Sequence, residues 1–240
     1  MSEWLKDGLS LADSAFAVLG VLIGLSIKPL RRRWQRRSSV QRKQQTQILD
    51  QLDLGRPLET IESALGRPHL LNRWKTPDGE GEERIYRLPG AWVVLEAPEG
   101  AVAAYSITIT DAELCYDTGA ITRGMVPVCL GRSVFADAAT MGADDALEIY
   151  AHFVTFHRHY DYGSIAAGGR FIWLAFNPGG VGDFDGASAG DWQQHTTSRA
   201  RAVTCDLSRI TVNTIAVCDW DMHSKLLDPG FYGPHPDRIR

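Results

Sequence analysis

The chain has 240 residues, of which 44% are hydrophobic and 22% charged, and its formal net charge is -4. These are ordinary values for a globular protein, so the composition does not favour an intrinsically disordered chain. Eight Lys and Arg residues crowd between Lys28 and Lys43, which leaves the rest of the chain clearly acidic. An acidic main domain does not favour polyanions, and we expect no nucleic-acid partner.

An apolar stretch of about 19 residues runs from Leu9 to Ile27, and Asp13 is its one charged residue. Its length is close to the roughly 20 residues that span a hydrocarbon core of about 30 Å. Trp4 and Trp34 flank the stretch as interfacial aromatic residues do. The pattern predicts an N-terminal transmembrane helix that contacts the lipid bilayer through Leu9 to Ile27. An interfacial helix and a buried core helix are the alternatives.

A cluster of arginines between Arg31 and Arg37 follows this stretch directly. A cleaved signal peptide carries its basic residues before the apolar run, so the order found here argues against cleavage. The positive-inside rule places the cluster in the cytoplasm, together with the chain that follows it. We therefore expect residues 1–45 to be a membrane anchor with a basic linker. The protein would be a bacterial single-pass protein of the inner membrane with a cytoplasmic C-terminal domain.

The segment from Gly55 to Pro68 has a clear helical pattern. Pro57 suits the first turn of a helix, and Gly66 is a natural stop at which we expect a positive φ. The apolar residues that fall on one face are Leu58, Ile61 and Leu65. Three extended runs follow, at 84–88, 91–96 and 101–110, and turns containing Pro and Gly separate them. Residues 46–128 are therefore predicted to form a first α+β module, an antiparallel meander packed on helices.

The second half shows signs of the same plan. Leu54-Gly55-Arg56 recurs as Leu130-Gly131-Arg132 at an offset of 76 (131 minus 55), and Ser133 would suit the N-cap of a second helix. Strand-like runs follow at 149–160, 170–176, 199–205 and 211–220. Residues 129–240 are therefore expected to form a second, diverged, strand-rich module. Two tandem helix-plus-meander modules and a chance similarity both remain open.

The segment Gly55 to Pro68 reads G-x-P-x-E-x-I-x-x-x-L-G-x-P. With the strand runs that follow, it resembles the helix-plus-sheet module of the small outer-membrane assembly lipoproteins and of the β-lactamase inhibitory proteins. The resemblance covers residues 52–111 and, more weakly, 130–176. Tandem modules occur in that group, so the resemblance implies a doubled module. Pro57 replaces the usual N-cap hydroxyl and no lipobox cysteine is present, so a lipid-anchored outer-membrane role is not implied.

The complete layout is also similar to single-pass bacterial membrane proteins of unknown function. Its shared features are one apolar span, an arginine-rich flank, the module described above, and a C-terminal half rich in Tyr and Gly. This similarity implies an architecture and no activity.

The four cysteines fall into two pairs, Cys115 with Cys129 and Cys205 with Cys218, which have 13 and 12 intervening residues. Zinc sites use pairs about two to four residues apart, so no metal is expected. Disulfides in an exported domain and buried thiols in a cytoplasmic domain are the alternatives. The expected cytoplasmic orientation predicts four reduced thiols.

A weak enzyme hypothesis rests on five residues of the C-terminal half: His157, His159, Asp219, Asp221 and His223. His157 and His159 would point the same way from one strand, and the Asp and His residues at 219–223 alternate as metal ligands do. Convergence of these side chains in the fold would favour an enzyme.

Two further patterns fall short of a site. Residues 183–186 are similar to the start of a calcium loop, but the EF-hand pattern fails at its later positions and lacks the closing Glu. Residues 177–182 are glycine-rich, yet no Lys-Ser or Lys-Thr follows them, so they predict a flexible loop.

The sequence contains neither a G-x-S-x-G nor an H-E-x-x-H motif, and no cofactor is expected. The favoured hypothesis is a membrane-tethered, non-enzymatic interaction domain with a protein partner. The alternatives are an enzyme that uses the His and Asp residues above, and an exported, disulfide-bonded sensor or binding domain.

Overall fold

The fold is that of a computed structural model, which describes residues 39–76, 79–140, 143–149, 153–162, 169–185, 205–219 and 232–239. Contacts divide the chain into two units, residues 1–44 and 45–240. Of the first unit only residues 39–44 are described, and they are helical. All of the sheet described below belongs to the second unit.

The secondary structure is dominated by strands. Helix α1 includes the described residues 39–49, α2 is Leu58–Leu65 and α3 is Pro236–Ile239, with two 3-10 helices at Phe135–Asp137 and Leu207–Arg209. The strands are β1 Leu70–Thr76, β2 Gly79–Leu88, β3 Ala91–Pro98, β4 Ala104–Ile109, β5 Tyr116–Asp117, β6 Cys129–Leu130, β7 Ala143–Ile149, β8 Val154–Tyr162, β9 Arg170–Phe176 and β10 Thr214–Asp219.

Eight of these strands form one antiparallel sheet in the order β1-β2-β3-β4-β10-β9-β8-β7, and β5 pairs with β6 in a separate hairpin. Strands β1 to β4 make a meander that occupies one half of the sheet. Strands β7 to β10 occupy the other half, in reversed order. The two halves meet where β4 pairs with β10, with Ser106 opposite Ala216.

Hydrogen bonds at this junction repeat on both sides of the Ser106–Ala216 pair. Ile109 donates its main-chain N–H to the oxygen of Asn213 at 2.9 Å, and Asp219 donates in the same manner to Ala103 at 3.1 Å. Such local symmetry is a property of antiparallel ladders. Because the four strands on each side also follow in reversed order, an approximate two-fold axis at this pair relates the strand order of the two halves.

The recurring Leu-Gly-Arg segments lie in corresponding places on the two halves. Gly55 donates its main-chain N–H to Val102 at 2.7 Å, and Gly131 donates to Val212 at 2.8 Å. Both glycines have a positive φ, 77° and 83°, a conformation that glycine adopts without a side-chain clash. The two segments then diverge. The first leads into the eight-residue helix α2, whereas the second leads only into the short 3-10 helix Phe135–Asp137.

One face of the sheet, which we call the core face, carries the main hydrophobic core. Its side chains alternate along each strand, as in Val93 and Leu95 on β3 or Ile215 and Val217 on β10, and all four are essentially inaccessible to solvent. Leu49 of α1, Leu52 in the loop that follows it, and Leu58 and Ile61 of α2 pack against this face. Burial of apolar surface here is the main stabilising contribution to the fold.

The structure shows that the predicted fold class, an α+β protein with a transmembrane helix, is wrong. The protein is mainly antiparallel sheet with few helices, because β4 and β10 join both halves into one continuous sheet. Among the helices of the described ranges, none is both long enough and apolar enough to cross a membrane, which also corrects the single-pass assignment. The predicted span from Leu9 to Ile27 itself lies outside the described residues.

Local predictions had mixed outcomes. The helix that was expected to end at Gly66 is confirmed, since α2 ends at Leu65 and Gly66 has a φ of 81°. The run at 170–176 coincides with β9. The single strand predicted at 149–160 is wrong, because β7 ends at Ile149 and β8 begins at Val154. Most of the run at 199–205 lies outside the described residues.

Candidate binding face

The opposite side of the sheet, which we call the second face, is also largely buried. Alternation along the strands places on it Trp92 and Val94 of β3, Ser106 and Thr108 of β4, Thr214, Ala216 and Cys218 of β10, Phe171 and Trp173 of β9, and His157 and His159 of β8. Most of these side chains belong to two clusters of buried residues that are separate from the main core.

The centre of the second face is made of small side chains. Ala104, Ser106, Ala216 and Cys218 lie on the two central strands, and all four are buried. Trp92 and Val94 stand on one side of this strip, and Phe171 and Trp173 stand on the other. Small side chains along the centre and larger ones on both sides form a strip that we call the groove.

The aromatic side on β8 and β9 is a stack of rings. The His159 ring lies parallel to that of Trp173, with 4.9 Å between centroids, and also stacks on Phe171 at 5.3 Å. Tyr232, from the end of the chain, stacks on Trp173 at 5.1 Å and meets the edge of His157 at 4.8 Å. Such ring pairs add a modest attraction to the apolar burial.

Residues 232–239, which we call the C-terminal segment, lie across the second face. Asn177 donates its side-chain amide to the main-chain oxygen of Tyr232 at 2.7 Å and to that of Pro234 at 3.3 Å. At the other end, Arg238 donates to the Glu83 carboxylate at 2.7 Å. Ile239 packs beside the cluster of Ile85, Trp92 and Val94. The segment therefore contacts both halves of the sheet.

Gly233 lies where the segment comes closest to the sheet. A Cβ atom at this position would be 2.5 Å from Asn177 Nδ2 and 2.5 Å from Thr108 Oγ1, and its φ is 92°. Both the available space and the backbone conformation therefore require glycine at this position.

Two side chains of the second face, Glu96 and Cys218, have raised pKa values. Burial, with a further contribution from the nearby Glu83 carboxylate, raises the pKa of Glu96 to about 8. Burial likewise raises the pKa of the Cys218 thiol well above its usual range. A thiol that remains protonated is a poor nucleophile, so Cys218 has the chemistry of a packing residue.

The enzyme candidates do not all come together. His157 and His159 share the second face, as their spacing predicts. Asp219 follows Cys218 on β10, so alternation directs it to the opposite face. Asp221 and His223 lie outside the described residues. In the described part of the chain, no group of three or more His, Cys, Asp or Glu side chains could hold a metal ion.

The cysteines differ from the expectation of four thiols. Cys115 and Cys129 form a disulfide that closes the β5–β6 hairpin, with 5.1 Å between their Cα atoms. Cys205 and Cys218 are thiols. The prediction of four reduced thiols is therefore wrong for the first pair. Spacing along the sequence could not decide this, because loops of this length accommodate either state.

Sequence reasoning missed the residues that hold the C-terminal segment. The glycine-rich residues 177–182 were predicted to be a flexible loop. Asn177, however, is fully buried, and its main-chain N–H and its main-chain oxygen are both hydrogen-bonded to Asn213. The neighbouring Asp185 forms an ion pair with Arg209, where the sequence had offered a fragment of a calcium loop. The signal in the sequence was the position of Asn177, a polar residue that directly follows the apolar strand β9.

The fold and its second face define a mainly β protein with one eight-stranded antiparallel sheet and a groove occupied by its own C-terminal segment. No family model matches the chain, and no curated protein matches it. A solved structure, a cysteine-rich secretory protein from Staphylococcus aureus, matches 76% of this chain at 7% identity with a TM-score of 0.32. The match spans about half of that protein, 51% of its chain.

Proposed function

We propose that this chain is a non-enzymatic protein-interaction domain that binds an extended polypeptide on the second face of its sheet. The observation that carries the proposal is the C-terminal segment docked in that groove. Its contacts combine ring stacking on Trp173, hydrogen bonds from Asn177 to main-chain oxygens, and an ion pair with Glu83. These are the contact types by which peptide-recognition domains hold extended ligands.

The arrangement of the histidines favours binding over catalysis. His159 is stacked in the aromatic side of the groove, and His157 faces the ring of Tyr232. A general base needs its acceptor nitrogen within hydrogen-bond reach of a substrate proton and a partner that orients the ring. Asp219, the described carboxylate that the sequence suggested for this role, belongs to the opposite face of the sheet.

The disulfide supports an exported domain, which was an alternative reading of the cysteine spacing. Disulfides such as Cys115–Cys129 persist in oxidising compartments and are rare in the cytosol. We therefore propose that the binding domain works outside the cytoplasm, where its partner would also be found.

Site-specific photo-crosslinking in cells tests the proposed function. Arg87 is exposed at the rim of the groove, where its guanidinium lies 5.5 Å from the centre of the Trp92 ring. A photoreactive amino acid at position 87 should form an adduct with one protein, which mass spectrometry identifies. The matched control carries the same amino acid at Ala136, an exposed position on the 3-10 helix.

The identified protein, once purified, should bind the full chain whose own C-terminal segment is weakened by Tyr232→Ala and Arg238→Ala. In that background Asn177→Ala should weaken the binding by about tenfold, or roughly 1.4 kcal/mol. Adducts of equal yield at positions 87 and 136 would contradict a binding groove on the second face. So would binding that Asn177→Ala leaves unchanged.

A further inference from the structure

Resting on the function proposed above, we infer that the C-terminal segment is an internal ligand that competes with a partner peptide of the same chemistry. That peptide would be extended and would carry a Tyr or another aromatic residue followed directly by Gly-Pro. An Arg would follow six positions after the aromatic residue, as Arg238 follows Tyr232. The partner supplies this peptide in trans when the chain's own segment leaves the groove.

The first determinant of this ligand is the aromatic ring. Tyr232 is 3% exposed and packs among Ala104, Ala216 and Cys218 as well as on Trp173. The small side chains of the central strands leave the space that its ring occupies. A peptide without an aromatic residue would leave this space unfilled, at the cost that accompanies any apolar cavity.

The second determinant is the main chain near Gly233. The Asn177 side chain donates hydrogen bonds to the main-chain oxygens of residues 232 and 234. These contacts depend on the backbone conformation of the ligand and not on its side chains. Gly233 is different, because any side chain there would collide with Asn177 and Thr108. Pro234 and Pro236 are both buried and restrict the backbone before binding, which lowers the entropy lost on docking.

The third determinant is charge. Glu83 accepts from Arg238 at 2.7 Å and from the Asn72 amide at 2.5 Å, so its carboxylate is oriented towards the end of the segment. Glu96 lies directly opposite Glu83 on the neighbouring strand. Because its raised pKa of about 8 keeps Glu96 largely protonated at neutral pH, the Glu83 carboxylate supplies the negative charge at this end of the groove. An arginine is therefore favoured at this position and an acidic residue is disfavoured.

Several observations indicate that the segment can leave. Within the described residues it adds no strand to the sheet, and Asp237 and Arg238 are exposed. The Arg238 side chain is 49% exposed, so its ion pair contributes about 1 kcal/mol or less. Elements with few backbone hydrogen bonds to the rest of a fold open at low free-energy cost. While the segment is docked, the groove has a lower apparent affinity for any other peptide.

Fluorescence anisotropy with a labelled synthetic peptide tests the inference. The probe has the sequence of residues 231–240, and the protein is the full chain carrying Tyr232→Ala and Arg238→Ala, which weaken its own segment. We expect this variant to bind the probe about tenfold more tightly than the wild-type chain does, with a Kd of about 10–100 μM. If the double variant does not retain the wild-type circular dichroism spectrum, the single variant Arg238→Ala is used instead. This single variant should bind the probe several-fold more tightly than the wild-type chain does.

Two matched changes identify the contacts in trans. A probe with Ala in place of the glycine should bind about tenfold more weakly. Adding Glu83→Lys to the weakened chain should reduce binding of the original probe, and a probe with Glu in place of the arginine at the position of Arg238 should restore it.

The inference is overturned if a folded, weakened chain binds the probe no better than wild type, or if the charge exchange has no effect. Dimerisation of the wild-type chain in sedimentation, without binding of the probe, would assign the groove to a second copy and would also overturn it. The crosslinking experiment separates the two proposals. An adduct at position 87 without probe binding contradicts only this inference, whereas absence of both contradicts the proposed function as well.

Discussion

Asn177 and Asn213 are joined by two reciprocal hydrogen bonds between β9 and β10. The main-chain N–H of Asn177 donates to Asn213 Oδ1 at 2.7 Å, and Asn213 Nδ2 donates back to the main-chain oxygen of Asn177 at 2.9 Å. Both residues are fully buried. This pair holds the main chain of Asn177 at the point where β9 ends. The Asn177 side chain, which donates to the C-terminal segment, accepts a hydrogen bond from the main-chain N–H of Gly179 at 2.7 Å.

The first prediction concerns this pair. Asn213→Ala would leave the main-chain N–H and oxygen of Asn177 buried without their partners, so we expect unfolding free energy to fall by about 2–4 kcal/mol. Asn72→Ala is the control, because Asn72 is only half-buried and should cost about 1 kcal/mol or less. Urea unfolding measures both, and equal losses would show that the reciprocal bonds have no special role.

The second prediction concerns the ion pair between Arg158 and Asp145. Arg158 is 2% exposed, donates twice to the Asp145 carboxylate at 2.6 and 2.8 Å, and also reaches the main-chain oxygens of Phe135 and Ala138. Arg158→Met should therefore destabilise the protein by about 3–5 kcal/mol. Arg73→Met should change stability by about 1 kcal/mol or less, because the Arg73 side chain is 76% exposed. Thermal denaturation of both variants distinguishes a buried anchor from a surface pair.

The third prediction concerns the disulfide. Replacing Cys115 and Cys129 together by Ser should lower the unfolding free energy by about 2–4 kcal/mol, because the open loop has more conformational freedom when unfolded. Cys205→Ser, at a partly buried thiol, should lower the unfolding free energy by less. Mass spectrometry after alkylation of the native protein should find Cys115 and Cys129 unmodified. Complete alkylation of both would contradict the disulfide and the exported location that it supports.

The fourth prediction concerns pH. Burial raises the pKa of Glu96 from its ordinary value of 4.5 to about 8, so the folded state retains a proton that the unfolded state releases. The stability conferred by protonated Glu96 is present below pH 4.5 and declines as the pH rises to about 8, by at most about 1.4 kcal/mol per pH unit. Urea unfolding at several pH values between about 5 and 8 measures this decline, and Glu96→Gln should remove it. Glu99→Gln, at an exposed turn, should retain it.

Local patterns were sufficient for the elements that depend on neighbours in sequence. Helix α2 was predictable because three apolar residues at helical spacing lie between Pro57 and Gly66, and these signals act within about four residues of each other. Strand β9 was predictable in the same manner from its apolar run. The corresponding helix of the second half failed to form beyond three residues, and Asp137, which bonds to the main chain of Val134, stands where the first helix has the buried Ile61.

The sequence by itself determined where several strands and the helix α2 would form, and that His157 and His159 would share a face. Only the tertiary structure decided that Ser106 would pair with Ala216, that Tyr232 would stack on Trp173, and that Cys115 would bond to Cys129. Hydrophobic periodicity specifies the face that a residue presents, because it depends on the local backbone repeat. It carries no information about which distant strand or segment will cover that face, since this depends on packing and burial across the whole chain.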